Sequence, residues 1–109
     1  MAETAFHERV VFKALADPTR REILALLRER RRAAGEIAAH FSVSRPAISK
    51  HLRLLRGARL VAETRAGRER LYQLNAAPLK SVDEWLADYR QFWRMQLRSL
   101  KHYVEEGKS

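Results

Sequence analysis

The fold is decided by the stretch Ser44–Arg56, which reads SRPAISKHLRLLR. Ser44 is a favourable N-cap, and Pro46 is tolerated in a first helical turn because its missing amide is not needed there. Three apolar residues at i, i+4 and i+7 predict a core-facing side, namely Ile48, Leu52 and Leu55. The opposite side is polar and basic, and it holds Arg45, Ser49, Lys50, Arg53 and Arg56.

This helix has the construction expected of one that enters the major groove of DNA. Short or forked hydrogen-bonding side chains lie near its start, where they could meet base edges, and basic side chains follow toward phosphates. An ordinary amphipathic helix with a solvated basic face has the same pattern. The segment alone therefore leaves both interpretations open.

Three helices are predicted before this segment. Thr4–Leu15 has apolar residues at helical spacing, and Asp17 with Pro18 is an N-cap followed by a proline at the first helical position. The second helix is expected over Pro18–Arg30, with the basic cluster Arg28–Arg32 at its C-terminal end, where positive charge complements the helix dipole. A short third helix is expected over Gly35–His40.

A hairpin and a long helix are predicted after the segment. Leu60–Thr64 and Glu69–Leu74 have the pattern of short strands, and the turn Arg65–Arg68 between them contains Gly67 for a positive φ. Pro78 precedes a helix over Leu79–Glu106. The order α-α-α-α-β-β-α predicts a mainly α winged helix-turn-helix with a β-hairpin wing.

We expect a single domain over residues 1–109, with the helix-turn-helix at 35–56 and the wing at 60–74. Arg65, Arg68 and Arg70 cluster at the wing, where they would grip a DNA backbone. A basic hairpin can also be merely solvated. Together with the turn before Ser44, however, the wing favours DNA recognition.

The composition agrees with an anionic partner. Lys and Arg number 22 against 13 Asp and Glu, a formal charge of +9, which favours nucleic acid, although a solvated basic surface is the alternative. With no cysteine, the chain can form neither a disulfide nor a thiolate metal site. No apolar run approaches the roughly 20 residues that span a bilayer, so we expect a cytoplasmic protein without membrane contact. No catalytic motif is visible, and no enzyme is predicted.

The last helix has more apolar surface than a small monomer covers easily, which favours a homodimer interface. Residues 1–16 and 79–106 are the expected dimerisation helices. The predicted interface residues are Phe6, Val10, Trp85, Tyr89, Phe92, Trp93, Gln96, Leu100 and Tyr103. The alternatives are packing on the chain's own domain and a pocket for a small-molecule inducer.

Four stretches together resemble the ArsR-type (arsenic-repressor-like) winged-helix family. Ala14–Leu24 is similar to its opening signature, Gly35–Ala38 to its third helix, Ser44–Leu55 to its recognition helix and Leu60–Leu74 to its wing. One departure is that Arg59 stands where the family usually has glycine, which would remodel the helix end and add a phosphate contact.

The resemblance implies a homodimeric transcriptional repressor that binds double-stranded DNA at a pseudo-palindromic operator, overlapping its own or a neighbouring promoter. His51 and Leu52 fall on structural positions. The DNA-reading positions are Ser44, Arg45, Pro46, Ser49, Lys50 and Arg53, to which we add the wing residues Arg65, Arg68 and Arg70 as backbone contacts.

This chain lacks the residues with which members of the family bind regulatory metals. The thiolate site has no cysteines, and Asp83, Asp88 and His102 on the last helix do not form the family's Asp and His pattern. We therefore expect neither a metal nor another cofactor. Two alternatives remain, which are a ligand- or metal-responsive sensor of the same fold and a protein-interaction module that does not bind DNA.

Overall fold

The computed structural model describes the backbone of residues 2–107 and the side chains of residues 7–107. The elements, in chain order, are α1 (Ala2–Leu15), α2 (Pro18–Glu29), β1 (Arg32–Ala33), α3 (Ala34–Ala38), α4 (Arg45–Gly57), β2 (Val61–Ala66), β3 (Glu69–Leu74) and α5 (Leu79–Gly107). This is a winged helix-turn-helix, as predicted from the sequence. The chain divides into two compact units, one up to Leu79 and one from Lys80 onward.

The second helix begins as its sequence predicts. Asp17 accepts a hydrogen bond from the Arg20 amide at 3.0 Å, and Pro18 occupies the first turn. That hydrogen bond is the main cause that lowers the pKa of Asp17, since it stabilises the carboxylate form. The helix ends at Glu29 rather than Arg30, because the chain enters the strand β1 soon afterwards. The helix α3 begins one residue earlier than predicted and ends at Ala38 instead of His40.

The strand β1 was missed in the sequence analysis. It joins an antiparallel sheet of order β1-β3-β2, in which Arg32 pairs with Tyr72 and Ala33 with Leu71. The view of Arg28–Arg32 as one cluster that complements a helix dipole is therefore wrong for Arg32, whose side chain is buried in the sheet. A strand of two residues is too short to leave a periodic signal.

The wing hairpin is tighter than predicted. Its strands stay paired as far as Ala66 opposite Glu69, so the turn is the two residues Gly67 and Arg68 instead of four. Gly67 has a φ of +65°, which glycine adopts without steric cost. Two-residue turns of this kind match the twist of the flanking strands, which explains why pairing continues to the tip.

The first unit has one apolar core. The predicted inward face of α4 is confirmed, since Ile48, Leu52 and Leu55 are each at most 2% exposed. The other buried apolar residues described are Val11, Ala14, Ile23, Leu24, Leu27, Ile37, Ala58, Leu60, Val61 and Tyr72. The core thus includes residues of all four helices and the sheet of this unit.

The end of α4 is closed by an arginine in the left-handed region. Arg59 has a φ of +60°, and its amide donates to the Arg56 carbonyl while the Leu60 amide donates to that of Leu55. These are the two hydrogen bonds of a Schellman motif. Asn75 holds the same corner, because its side chain donates to the Arg59 carbonyl at 2.8 Å. The helix end is therefore not remodelled as predicted: Arg59 adopts the left-handed position of the motif that glycine usually fills.

The second unit is the single long helix α5. Its 29 residues include none that is buried. Trp85 and Tyr89 form an aromatic pair with centroids 4.9 Å apart, and Arg90 donates to Asp83 at 2.5 Å. None of the helices in the described part of the chain is long and apolar enough to cross a membrane.

Candidate nucleic-acid interface

The outward face of α4 carries the predicted DNA-reading residues. Ser44 caps the helix, its hydroxyl accepting from the Ala47 amide at 3.3 Å. The cap satisfies the Ala47 amide, and the positive end of the helix dipole at this terminus favours a nearby anion. The predicted residues of this segment are all exposed, namely Ser44, Arg45, Pro46, Ser49, Lys50 and Arg53.

A buried-side contact fixes α4 against the first two helices. Arg20 donates to the carbonyls of Ala14 and Lys13, at 2.7 and 3.0 Å, and to His51 Nδ1 at 3.2 Å. Because a guanidinium can only donate, Nδ1 is the acceptor in this contact. His51 is half-buried, with Asp17 Oδ2 3.8 Å from the same nitrogen. His51 therefore anchors the helix from behind, in agreement with a structural position.

A basic groove lies between α4, the start of α3 and the wing. Its volume is about 780 Å³. Arg45 and Ser49 of α4 line one side, and Arg68 and Arg70 of the wing line another. The structure thus brings together residues that the sequence analysis assigned to DNA contact from two separate elements.

Most cations of this surface have no partner within the described residues. The unpaired side chains, which neither donate hydrogen bonds nor form ion pairs there, are Arg45, Lys50, Arg53, Arg65 and Arg68. Exposed charges left unpaired in one region raise the local potential and attract an anion. The positive charge of this surface is therefore not neutralised by carboxylates of the described chain, and it favours the binding of a phosphate.

Arg70 differs from the other wing arginines because Glu63 is nearby. The Arg70 Nε lies 3.5 Å from Glu63 Oε1, and Arg56 donates to the other oxygen of the same carboxylate. Glu63 is half-buried, with 19% of its side chain exposed. The carboxylate joins the end of α4 to the wing and reduces the charge that Arg70 presents to a ligand. No sequence signal marked this connection.

The wing also contains an unfavourable pairing. Arg65 lies directly opposite Arg70 in the β2–β3 register, and like charges in this position are destabilising. Both residues project from the sheet face that carries Glu63 and Tyr72. A bound anion would relieve the repulsion, so this pair fits a surface that is completed by a phosphate.

Two arginines between α2 and α3 also line the groove and were not predicted there. They are Arg30 and Arg31, which lie beside the buried Arg32.

The buried Arg32 is the centre of a hydrogen-bond network. Its side chain donates to Glu36 at 2.9 Å, to Glu29 at 2.7 Å and to the Leu26 carbonyl at 3.1 Å. The Arg30 guanidinium also bonds Glu36 and is the main cause that lowers the pKa of that carboxyl, with Arg32 adding to it. In the sequence, this network is marked only by short spacings of opposite charge, three residues from Glu29 to Arg32 and four from Arg32 to Glu36.

The residues considered for a metal are not gathered into a site. On α5, His102 Nε2 lies 2.9 Å from Glu106, and Asp83 bonds Arg90 instead. Within residues 7–107, no three His, Asp or Glu side chains form a group that could hold an ion.

The predicted interface residues of α5 lie on its surface. Trp85 is 51% exposed, Phe92 55% and Tyr103 76%, and Tyr89, Trp93, Gln96 and Leu100 are exposed as well. Val10 of α1 is half-buried. The side chain of Phe6 lies outside the described residues. The dimer interface stays a prediction.

Comparison with known proteins shows what this chain is similar to. Residues 17–63 match the model of the family described as bacterial regulatory protein, arsR family. The transcriptional repressor SdpR of Bacillus subtilis is 43% identical over 79 residues, which cover 72% of this chain and 88% of SdpR. The HTH-type transcriptional regulator Rv2034 of Mycobacterium tuberculosis is 39% identical over 94 residues, covering 86% of this chain and 85% of that protein.

A solved structure is similar over nearly the whole chain. The ArsR-like transcriptional regulator from Rhodococcus sp. RHA1 superposes with a TM-score of 0.70 at 35% sequence identity, covering 93% of this chain and 95% of that one. The likeness therefore extends beyond the helix-turn-helix to most of the fold.

Proposed function

We propose that this chain, which belongs to the arsR family of bacterial regulatory proteins, acts as a homodimer that reads a pseudo-palindromic operator through α4 and the wing. Like its relatives, it is a DNA-binding transcriptional repressor and not an enzyme. The observation that carries the proposal is the exposed face of α4, where Arg45 and Ser49 line a groove shared with Arg68. Lys50 is exposed on the same helix. We also place the protein in the cytoplasm, where bacterial DNA lies.

We assign two roles within this surface. Residues near the start of α4 contact base edges in the major groove, since a recognition helix reads DNA with its N-terminal residues. They are Ser44, Arg45, Pro46, Ser49 and Lys50. Arginines farther along the helix and on the wing contact the backbone, because a guanidinium matches phosphate geometry. They are Arg53, Arg65, Arg68 and Arg70.

The dimer is proposed from α5. Its apolar residues, together with Gln96, follow one another at alternating spacings of four and three, which is the seam of a helix that packs along another helix. This seam consists of Val82, Leu86, Tyr89, Trp93, Gln96, Leu100 and Tyr103. None of them is buried in the single chain, and an exposed apolar surface this large is unusual for a monomer. A two-fold dimer would present two α4 helices about 34 Å apart, one turn of DNA.

We propose that repression is independent of metal and includes the protein's own promoter. The sequence supplies no thiolate, and the inducing ligand is left unassigned. Addition of Zn²⁺ or Ni²⁺ to a repressor–DNA complex tests the first point, since a metal-dependent switch would change the affinity. The second point is tested by footprinting on the DNA upstream of the gene.

The decisive experiment measures binding to a DNA site selected by the protein from a random library. We expect Arg45→Ala to weaken binding to the selected site by about 1–3 kcal/mol, as for loss of a forked base contact, and to weaken binding to random DNA much less. Arg28→Ala, which removes an exposed arginine of α2, is the matched control and should leave both affinities unchanged. Equal losses on selected and random DNA for Arg45→Ala would contradict its base-reading role.

A further inference from the structure

We propose that Arg31, supported by Arg30, is an additional contact to the DNA backbone, so that the surface that binds phosphate extends from α4 and the wing to the segment between α2 and β1. This inference rests on the proposed function and adds residues to its site. It comes from the structure, because the sequence pattern places these arginines at the end of a predicted helix.

Three consecutive arginines have three different environments. Arg32 is 7% exposed and bonds Glu29 and Glu36, so it is a structural residue. Arg30 is exposed but shares Glu36 with it. Arg31 is exposed, and its side chain has no hydrogen bond or ion pair within the described residues. Only Arg31 therefore presents an unneutralised guanidinium from this segment.

Arg31 lines the same groove as Arg45. The groove floor includes Gly35, where an added Cβ would lie 3.5 Å from Nη2 of Arg45, so the Arg45 guanidinium rests against the start of α3. A DNA strand that meets Arg45 and the wing would therefore pass the segment that carries Arg31.

The charges of the groove favour a phosphate over other occupants. Its lining includes six arginines and two carboxylates, a formal charge of +4. One of the carboxylates, Glu36, is already occupied by Arg30 and Arg32. A polyanion gains from such a surface by releasing its condensed counterions, which is the largest sequence-independent contribution to protein–DNA affinity.

The test compares two arginines three residues apart. Arg31→Ala should weaken selected and random DNA alike, by about fivefold to tenfold at 0.1 M salt, and should lower the slope of log K against log salt by about 0.9. Arg28→Ala removes the same charge, but Arg28 lines a different groove with Glu22 and Phe41, so its slope should equal that of the wild type. Arg31→Lys keeps the charge and should retain the slope.

The outcomes separate this inference from the proposed function. If Arg31→Ala and Arg28→Ala give the same slope while Arg45→Ala loses specificity, the extended contact is wrong and the proposed function stands. If the wild type forms no salt-sensitive complex with any DNA, both fail. Thermal unfolding of Arg31→Ala should match the wild type, since this side chain forms no hydrogen bond or ion pair with the part of the chain that the structure describes, and a destabilised variant would also overturn the inference.

Discussion

The helices α4 and α5 have the same kind of amphipathic pattern and opposite burial. In α4 the apolar residues Ile48, Leu52 and Leu55 are almost fully buried. In α5 the apolar and aromatic residues at helical spacing all keep some exposure, and Trp93 is 47% exposed. Periodicity therefore predicts that a helix has an apolar side, but it does not predict what covers that side. In α4 the neighbours within one chain suffice, whereas no residue of α5 is buried in the single chain, and a second copy is the proposed cover.

The largest expected effect is on the buried side of α4. Leu52→Ala should lower the free energy of unfolding by about 2–5 kcal/mol, because it removes buried methyl groups and leaves a cavity. Urea denaturation measures the change. Leu54→Ala is the matched control from the same helix, since Leu54 is 36% exposed, and it should cost far less. Equal losses would mean that the two sides of α4 do not differ as the structure has them.

The next effect concerns the exposed side of α5. If this side is the dimer interface, Trp93→Ala should raise the dimer dissociation constant about 30-fold, the equivalent of roughly 2 kcal/mol at an aromatic hot spot. Sedimentation equilibrium measures it. Gln91→Ala on the polar side of the same helix is the control and should change nothing. A wild type that stays monomeric, or a Trp93→Ala variant that dimerises normally, would refute the interface.

The smallest effect is at the end of α4, where Arg59 holds a positive φ. Arg59→Gly should stabilise the protein by up to about 1 kcal/mol, since a left-handed conformation costs other L-residues about 1–2 kcal/mol and glycine nothing comparable. Gly67→Ala is the converse change, because φ is +65° there, and it should destabilise the hairpin. Destabilisation by Arg59→Gly would show that this guanidinium makes a contribution larger than the strain.

Much of the fold could be predicted because its signals are local. The cap at Asp17, the cap at Ser44 and the turn at Gly67 each depend on residues within a few positions along the chain. The exposed residues of α4 were predictable for the same reason, since the helix period alone puts them opposite Ile48 and Leu52.

The remaining features depend on contacts between distant positions. Arg32 pairs in the sheet with Tyr72, Arg20 donates to His51, and Glu63 joins Arg56 to Arg70. No periodicity links such positions, so Arg30, Arg31 and Arg32 looked equivalent in the sequence. Their different burial appears only once β1 is paired with β3.

By itself, the sequence determined the order of helices and wing, the inward face of Ser44–Arg56 and the basic character of its outward face, because helix period, capping and charge are properties of neighbouring residues. Only the tertiary structure decided which cations remain free. Arg20 and Arg32 bind carbonyls and carboxylates, and Arg56 and Arg70 lie against Glu63. Arg31, Arg45 and Arg68 line one groove and have no partner among the side chains of residues 7–107. The physical reason is that an arginine's role depends on the acceptors within its reach, and these are set by packing.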